Sequence, residues 1–112
     1  MGKDEKQLYE GMYVFSVTLS EEARCKALDK VTSGIINYSG EVLKIHDQGR
    51  KKLAYEIRGA REGYYYLVYF SVASQAISEL WKEYHLNEDL LRFMTLKTDK
   101  VQEVIEFATL AE

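Results

Sequence analysis

The apolar positions of this chain change period several times, and each change marks an element. From Tyr9 to Val17 aromatic and β-branched residues dominate, which predicts a first strand behind a polar leader of residues 1–8. Thr18 and Ser20 both stand where a helix cap is needed, and Glu21 would complete a capping box with Thr18. Beyond them Cys25, Leu28, Val31, Ile35 and Tyr38 recur at helical spacing, one apolar stripe that Ser39-Gly40 brings to a stop. Cys25 is thereby assigned to the core. A period of two follows in Glu41–Asp47 and again in Gly49–Ile57. Gln48-Gly49 between them allows a tight hairpin or one long strand bent at a bulge, and an isolated glycine within a strand pattern favours the bulge.

In the second half of that strand Leu53, Tyr55 and Ile57 share one face, predicted to anchor in the core, while Arg50 and Lys52 share the other with Ala54 and Glu56. Residues 58–63 read as a loop. Tyr64 to Val72 is apolar on both faces, as expected of a strand in a sheet with both faces covered. Ser74 is the predicted cap of a second helix carrying Ile77, Leu80, Trp81 and Tyr84, with Trp81 as a core anchor. Leu90 to Thr98 alternates again, placing Arg92, Met94 and Leu96 opposite Leu91, Phe93, Thr95 and Lys97. In the tail, residues 99–112, Val101, Val104, Ile105 and Ala108 keep helical spacing. The order strand, helix, strand, strand, helix, strand predicts an α+β, ferredoxin-like two-layer sandwich: a four-stranded antiparallel sheet with two helices on one face. The other face would be left open with more aromatic surface than a lone monomer usually exposes.

The chain has 112 residues, enough for one domain with its core at about residues 9–98 and too few for separate substrate and cofactor domains. No apolar run approaches membrane-spanning length and the start lacks a signal-peptide pattern, so a cytoplasmic location is expected. The single Cys25 excludes an internal disulfide. Net charge is −3, unevenly spread: residues 1–40 sum to −1, residues 41–72 to +2, and residues 73–112 to −4. Any grip on a polyanion must be local, centred on the Arg50-Lys51-Lys52 run, and a second, basic protein would have to supply further affinity. A solvated edge strand whose lysines deter aggregation is the competing explanation of that run.

Catalytic groupings are lacking. His46 and Asp47 are adjacent on a strand and so point to opposite faces, His85 fits a helix C-terminal position, and two histidines make no metal-site spacing. Neither a phosphate-binding loop nor a dinucleotide fingerprint occurs. No enzyme, cofactor or metal is therefore expected. Glu62-Gly63-Tyr64-Tyr65-Tyr66-Leu67-Val68-Tyr69 copies part of the RNA recognition motif pattern, but Glu62 replaces its basic residue and Tyr65 its small one.

A fuller match is made by Tyr9-Glu10, by Gly49-Arg50-Lys51-Lys52-Leu53-Ala54-Tyr55-Glu56-Ile57, by Gly63-Tyr64-Tyr65, and by Arg92-Phe93-Met94-Thr95-Leu96-Lys97. With these residues the chain resembles the bacterial family of the small-subunit ribosomal protein numbered six, from about Tyr9 to Thr98. The resemblance implies a structural protein that binds the central domain of the small-subunit ribosomal RNA as a heterodimer with the small basic ribosomal protein numbered eighteen. By position it implies RNA contacts from Arg50, Lys51, Lys52, Arg92, Lys97 and Tyr9. Tyr64 and Tyr66 are the candidate partner-binding residues. The chain departs from the family in Glu56, where proline is usual, and in Gln7-Leu8, where basic residues often stand. The reading from another class is a ferredoxin-like regulatory or ligand-binding module that homodimerises through its sheet.

Overall fold

A computed structural model describes residues 5–102. In chain order it contains β1 (Lys6–Ser16), α1 (Glu21–Asn37), β2 (Glu41–Ile57), β3 (Ala60–Ala73), a 3-10 turn (Ser74–Ala76), α2 (Ile77–Leu86) and β4 (Leu90–Lys97). The strands form one antiparallel sheet in the order β2-β3-β1-β4. The expected ferredoxin-like topology is thus observed. The amphipathic pattern expected in the tail falls largely outside the described residues.

Register decides which side chains meet the helices. Tyr9 pairs with Phe70, Tyr13 with Tyr66 and Phe15 with Tyr64, so directly opposed rings of β1 and β3 point to the same side. Val31 and Ile35 of α1 and Leu80 and Tyr84 of α2 close over them, and this is the main core. At its centre Tyr13 and Tyr84 share a buried hydroxyl–hydroxyl hydrogen bond of 2.9 Å, their rings edge to face at 5.2 Å. Each ring supplies apolar area while satisfying the other's polar atom.

Several local expectations are corrected. β1 begins at Lys6 rather than Tyr9, because Lys6, Gln7 and Leu8 pair with Ala73, Val72 and Ser71 and ladder bonds do not depend on side-chain polarity. The cap of α1 is Ser20, whose Oγ accepts the Ala23 N–H at 3.1 Å, while the Thr18 hydroxyl bonds Ser16. The buried stripe of α1 is Ala27, Val31, Gly34 and Ile35, and Cys25 is exposed. The helix turns its small residues inward to sit close to its neighbours, and this rotates Cys25 out. Ser74 provides no cap; it opens the 3-10 turn, and α2 starts without a side-chain cap. Trp81 is no core anchor. It lies exposed between α2 and β4, where its Nε1–H donates to Thr95 Oγ1 at 3.1 Å.

Burial raises both central phenols, Tyr13 well above the usual tyrosine range and Tyr84 to about 12. The folded state therefore holds these protons more tightly than the unfolded chain, whose tyrosines titrate near ~10. The stability contributed is complete below that pH and is lost as pH rises toward 12. In a double-mutant cycle, Tyr13→Phe or Tyr84→Phe alone should cost about 1–3 kcal/mol by orphaning a buried hydroxyl, and the double variant less than the sum. Urea melts of the four proteins read both effects; additive costs would contradict the pairing.

Candidate nucleic-acid interface

The predicted bulge is present. The pairing of β2 with β3 jumps between Asp47 and Gly49, and Gly49 sits at φ +78°, where a side chain would be strained. Asp47 holds the kink: its Oδ1 accepts the Gly49 N–H at 3.0 Å, and its carboxylate accepts the Tyr64 hydroxyl at 2.8 and 3.1 Å. That hydrogen bond is the first cause of the raised Tyr64 pKa.

Past the bulge the sheet thins to two strands. β1 stops pairing with β3 at Ser16–Gly63, so β2 and β3 run on alone from the Lys52–Glu62 pair, with Arg50 and Lys51 at the base of this arm, opposite Tyr64 and Gly63. Its turn is Arg58-Gly59, with φ of 50° and 82°, two successive left-handed residues as in a type I′ hairpin. The expected loop of residues 58–63 is therefore only this turn, and Ala60–Gly63 already belong to β3. The arm curls toward β4, the opposite edge of the sheet. Arg58 donates to the Leu90 carbonyl at 2.7 Å and Arg92 to the Tyr55 hydroxyl at 3.2 Å. Gly63 permits the curl, since a Cβ there would collide with Val14 and touch Leu53. Tyr55, expected in the core, is exposed and serves to tether Arg92.

Residues 50–63 carry five cations, Arg50, Lys51, Lys52, Arg58 and Arg61, against Glu56 and Glu62, in a chain of net charge −3. Arg50 and Lys52 point to the helix side of the strand and Lys51 to the other. Lys51 lies 5.2 Å from the Tyr65 ring centroid and donates to Gln48 Oε1. Arg50 pairs with Glu62 at 2.8 Å and Arg61 with Glu56 at 3.3 Å. All four of those side chains are largely exposed, and surface pairs of this kind are worth at most about 1 kcal/mol, so phosphate oxygens can replace the carboxylates.

The remaining sequence candidates fare unequally. Arg92 joins the arm. Lys97 is exposed at the far end of β4, five residues or roughly 17 Å along the strand from Arg92. Tyr9 and Tyr66 are 7% and 4% exposed beneath the helices, which leaves neither ring a surface for RNA or a protein. Alternation had placed them on a face without saying that the helices cover it. Tyr64 is half-buried under the Arg24 guanidinium, 3.7 Å from its ring centroid. Arg58 was missed as a site residue, although an Arg-Gly pair between two strands signals a turn whose side chain projects.

His46 and Asp47 do point to opposite faces. His46 bonds the Gln102 carbonyl at 2.7 Å while Asp47 holds Tyr64. His85 lies in the last turn of α2, edge-on to Phe93 at 5.0 Å.

A family model described as ribosomal protein S6 matches residues 8–97. Over all 112 residues, and over the whole of each relative, the chain is 80% identical to the small ribosomal subunit protein bS6 of Chlamydia pneumoniae and 79% identical to that of Chlamydia trachomatis serovar L2. Its structure resembles the crystal structure of 30S ribosomal protein S6 from Thermotoga maritima with a TM-score of 0.79 and 28% identity, covering 84% of this chain and 89% of that one. Fold and likeness together define a ferredoxin-like, structural and non-enzymatic ribosomal protein. The chain belongs to the ribosomal protein S6 family.

If Arg58 pins the arm, Arg58→Ala should accelerate amide exchange across residues 53–61 while β1 exchanges as before, with global stability falling by about 1 kcal/mol or less. Unchanged exchange in the arm would show that the Leu90 contact does not hold it.

Proposed function

We propose that this chain binds small-subunit ribosomal RNA, in its central domain, through the basic arm, and that it does so paired with the small basic ribosomal protein numbered eighteen. The observation that carries the reading is the concentration of five cations on the two-stranded arm and its base, residues 50–63, in a protein that is otherwise acidic. Arg50, Lys51, Lys52, Arg58 and Arg61 meet phosphates, Arg92 extends the contact from β4, and Lys97 touches the backbone separately. Contacts of this kind set position and affinity without reading sequence. The families and names of the relatives agree with a place in the small subunit, hence in the cytoplasm.

The same charge balance explains the need for a partner. A chain of net charge −3 repels the polyanion that its arm attracts, and a basic neighbour reverses that field. Coupling is reciprocal: RNA must tighten the protein pair by the factor through which the partner tightens RNA.

Changing Arg50, Lys51 and Lys52 together to Ala should weaken binding to a central-domain RNA fragment and flatten the dependence of log K on log salt by about one unit per lost contact. Filter binding across a salt series, with and without the basic partner, reads both claims. An unchanged slope would remove the arm from the interface, and equal affinity with and without the partner would remove the coupling.

A further inference from the structure

At the edge of the sheet opposite β2 lies a cleft that the basic arm only borders. β4 is the outermost strand there, paired with β1, and its register fixes which main-chain groups look outward. Thr98 N–H bonds the directly opposed Leu8 carbonyl at 3.0 Å, so Leu96, Met94 and Arg92, in phase with it, direct their ladder groups at β1. Phe93, Thr95 and Lys97 therefore turn their N–H and C=O groups away from the sheet. On the helix side of this edge a cleft of about 580 Å³ runs between β4 and α2, and no residue of α1 lines it. One end is aromatic. Trp81 and His85 of α2 stand edge-on to Phe93, with ring centroids 5.9 and 5.0 Å away, and the Trp81 Nε1–H donates to Thr95 Oγ1 at 3.1 Å, which holds the indole beside the strand. Even so, Trp81 keeps 40% of its surface exposed. The other end is cationic. Arg58 reaches in from the tip of the arm to the Leu90 carbonyl at 2.7 Å, and Arg92 also borders the cleft. Among the described residues no carboxylate lines it, since Glu88 and Asp89, in the turn before β4, lie outside.

We propose that this cleft takes one unpaired RNA base, stacked on Trp81, with its phosphate on Arg58 and Arg92. The inference deepens the proposed RNA contact and rests on it. Three features select a nucleotide over a segment of protein. A half-open indole offers a π-face on which any of the four bases can stack. Guanidinium groups at one end match a phosphate, and with no carboxylate in the lining nothing repels it. The cleft also continues the arm: Arg58 belongs to both, so a strand whose phosphates follow the arm passes the mouth of the cleft at Leu90. The outward N–H and C=O of Phe93 can then bond a base edge that presents an acceptor beside a donor. A duplex keeps its bases stacked, so the base that enters comes from a loop, a bulge or a junction. Phosphate contacts along the arm carry no sequence information, whereas this cleft distinguishes an unstacked nucleotide from a paired one.

Trp81 is the chain's one tryptophan, so its fluorescence reports on this cleft. Titrating the full chain at low salt with a central-domain fragment of the small-subunit ribosomal RNA should quench that emission saturably and shift the indole N–H resonance. Adenosine monophosphate should do so only at concentrations about tenfold higher or more, since it lacks the arm's phosphate contacts. In filter binding Trp81→Ala should weaken the fragment's affinity by about fivefold to a hundredfold and leave the slope of log K against log salt unchanged, because stacking releases no counterions. Trp81→Phe, which keeps a stacking ring, should restore most of the loss. The variant with Arg50, Lys51 and Lys52 changed to Ala should still show full quenching at saturating RNA, so an unchanged salt slope in that variant would remove the arm and leave the cleft standing. Emission unaltered throughout the RNA titration, or Trp81→Ala binding as tightly as the unmodified chain, would overturn the proposal. Quenching by adenosine monophosphate as tight as by the fragment would also overturn it, in favour of a free nucleotide. Quenching by the basic partner that RNA does not produce would overturn it in favour of a protein.

Discussion

Two helices cannot cover both sides of a four-stranded sheet, and the rest of this structure follows from that limit. The central strands β1 and β3 set their rings against α1 and α2 in directly opposed pairs, and the Tyr13–Tyr84 hydrogen bond satisfies two phenols buried inside that layer. Everything on the other side has to be managed without a helix. The basic arm folds toward β4 at one end, tethered by Arg58 and by the Arg92–Tyr55 bond, and the chain beyond β4 returns over the face to reach Tyr69 and His46.

The strand β2 is also where local chemistry and function coincide. The cations cluster from its second half onward, past the bend at Gly49 and around the point where the sheet narrows to two strands. The exposed pairs Arg50–Glu62 and Arg61–Glu56 hold the side chains without committing them, because exchange of a carboxylate for a phosphate at a solvated site costs little. The chain belongs to a family of structural, non-enzymatic ribosomal proteins, and the proposed use of this arrangement is contact with RNA.

Strand periodicity made most of the architecture legible. Alternation in Tyr9–Val17 and Leu90–Thr98, the two-sided apolar run of β3 and the glycine between two alternating segments suffice for the topology and the bulge. Helix faces were less legible, because spacing defines a stripe without saying which of two neighbouring stripes turns inward. In α1 the small residues Ala27 and Gly34 face the core and Cys25 does not; in α2 Leu80 and Tyr84 take the core and Trp81 is left at the edge. The basic run was visible as composition. The tethering of the arm was not, since Arg58–Leu90 and Arg92–Tyr55 join segments that only the three-dimensional curl brings together.

The central claim is that the face presented to RNA is the arm and not the helical layer. It is tested most directly by tethering an iron chelate to a single cysteine at Lys51→Cys or, separately, at Lys30→Cys on α1, each with Cys25→Ser, and mapping hydroxyl-radical cleavage of the RNA after assembly with the partner. Localised cleavage from position 51, with little from position 30, is the result this account predicts. Cleavage from position 30 equal to or stronger than that from position 51 would contradict it.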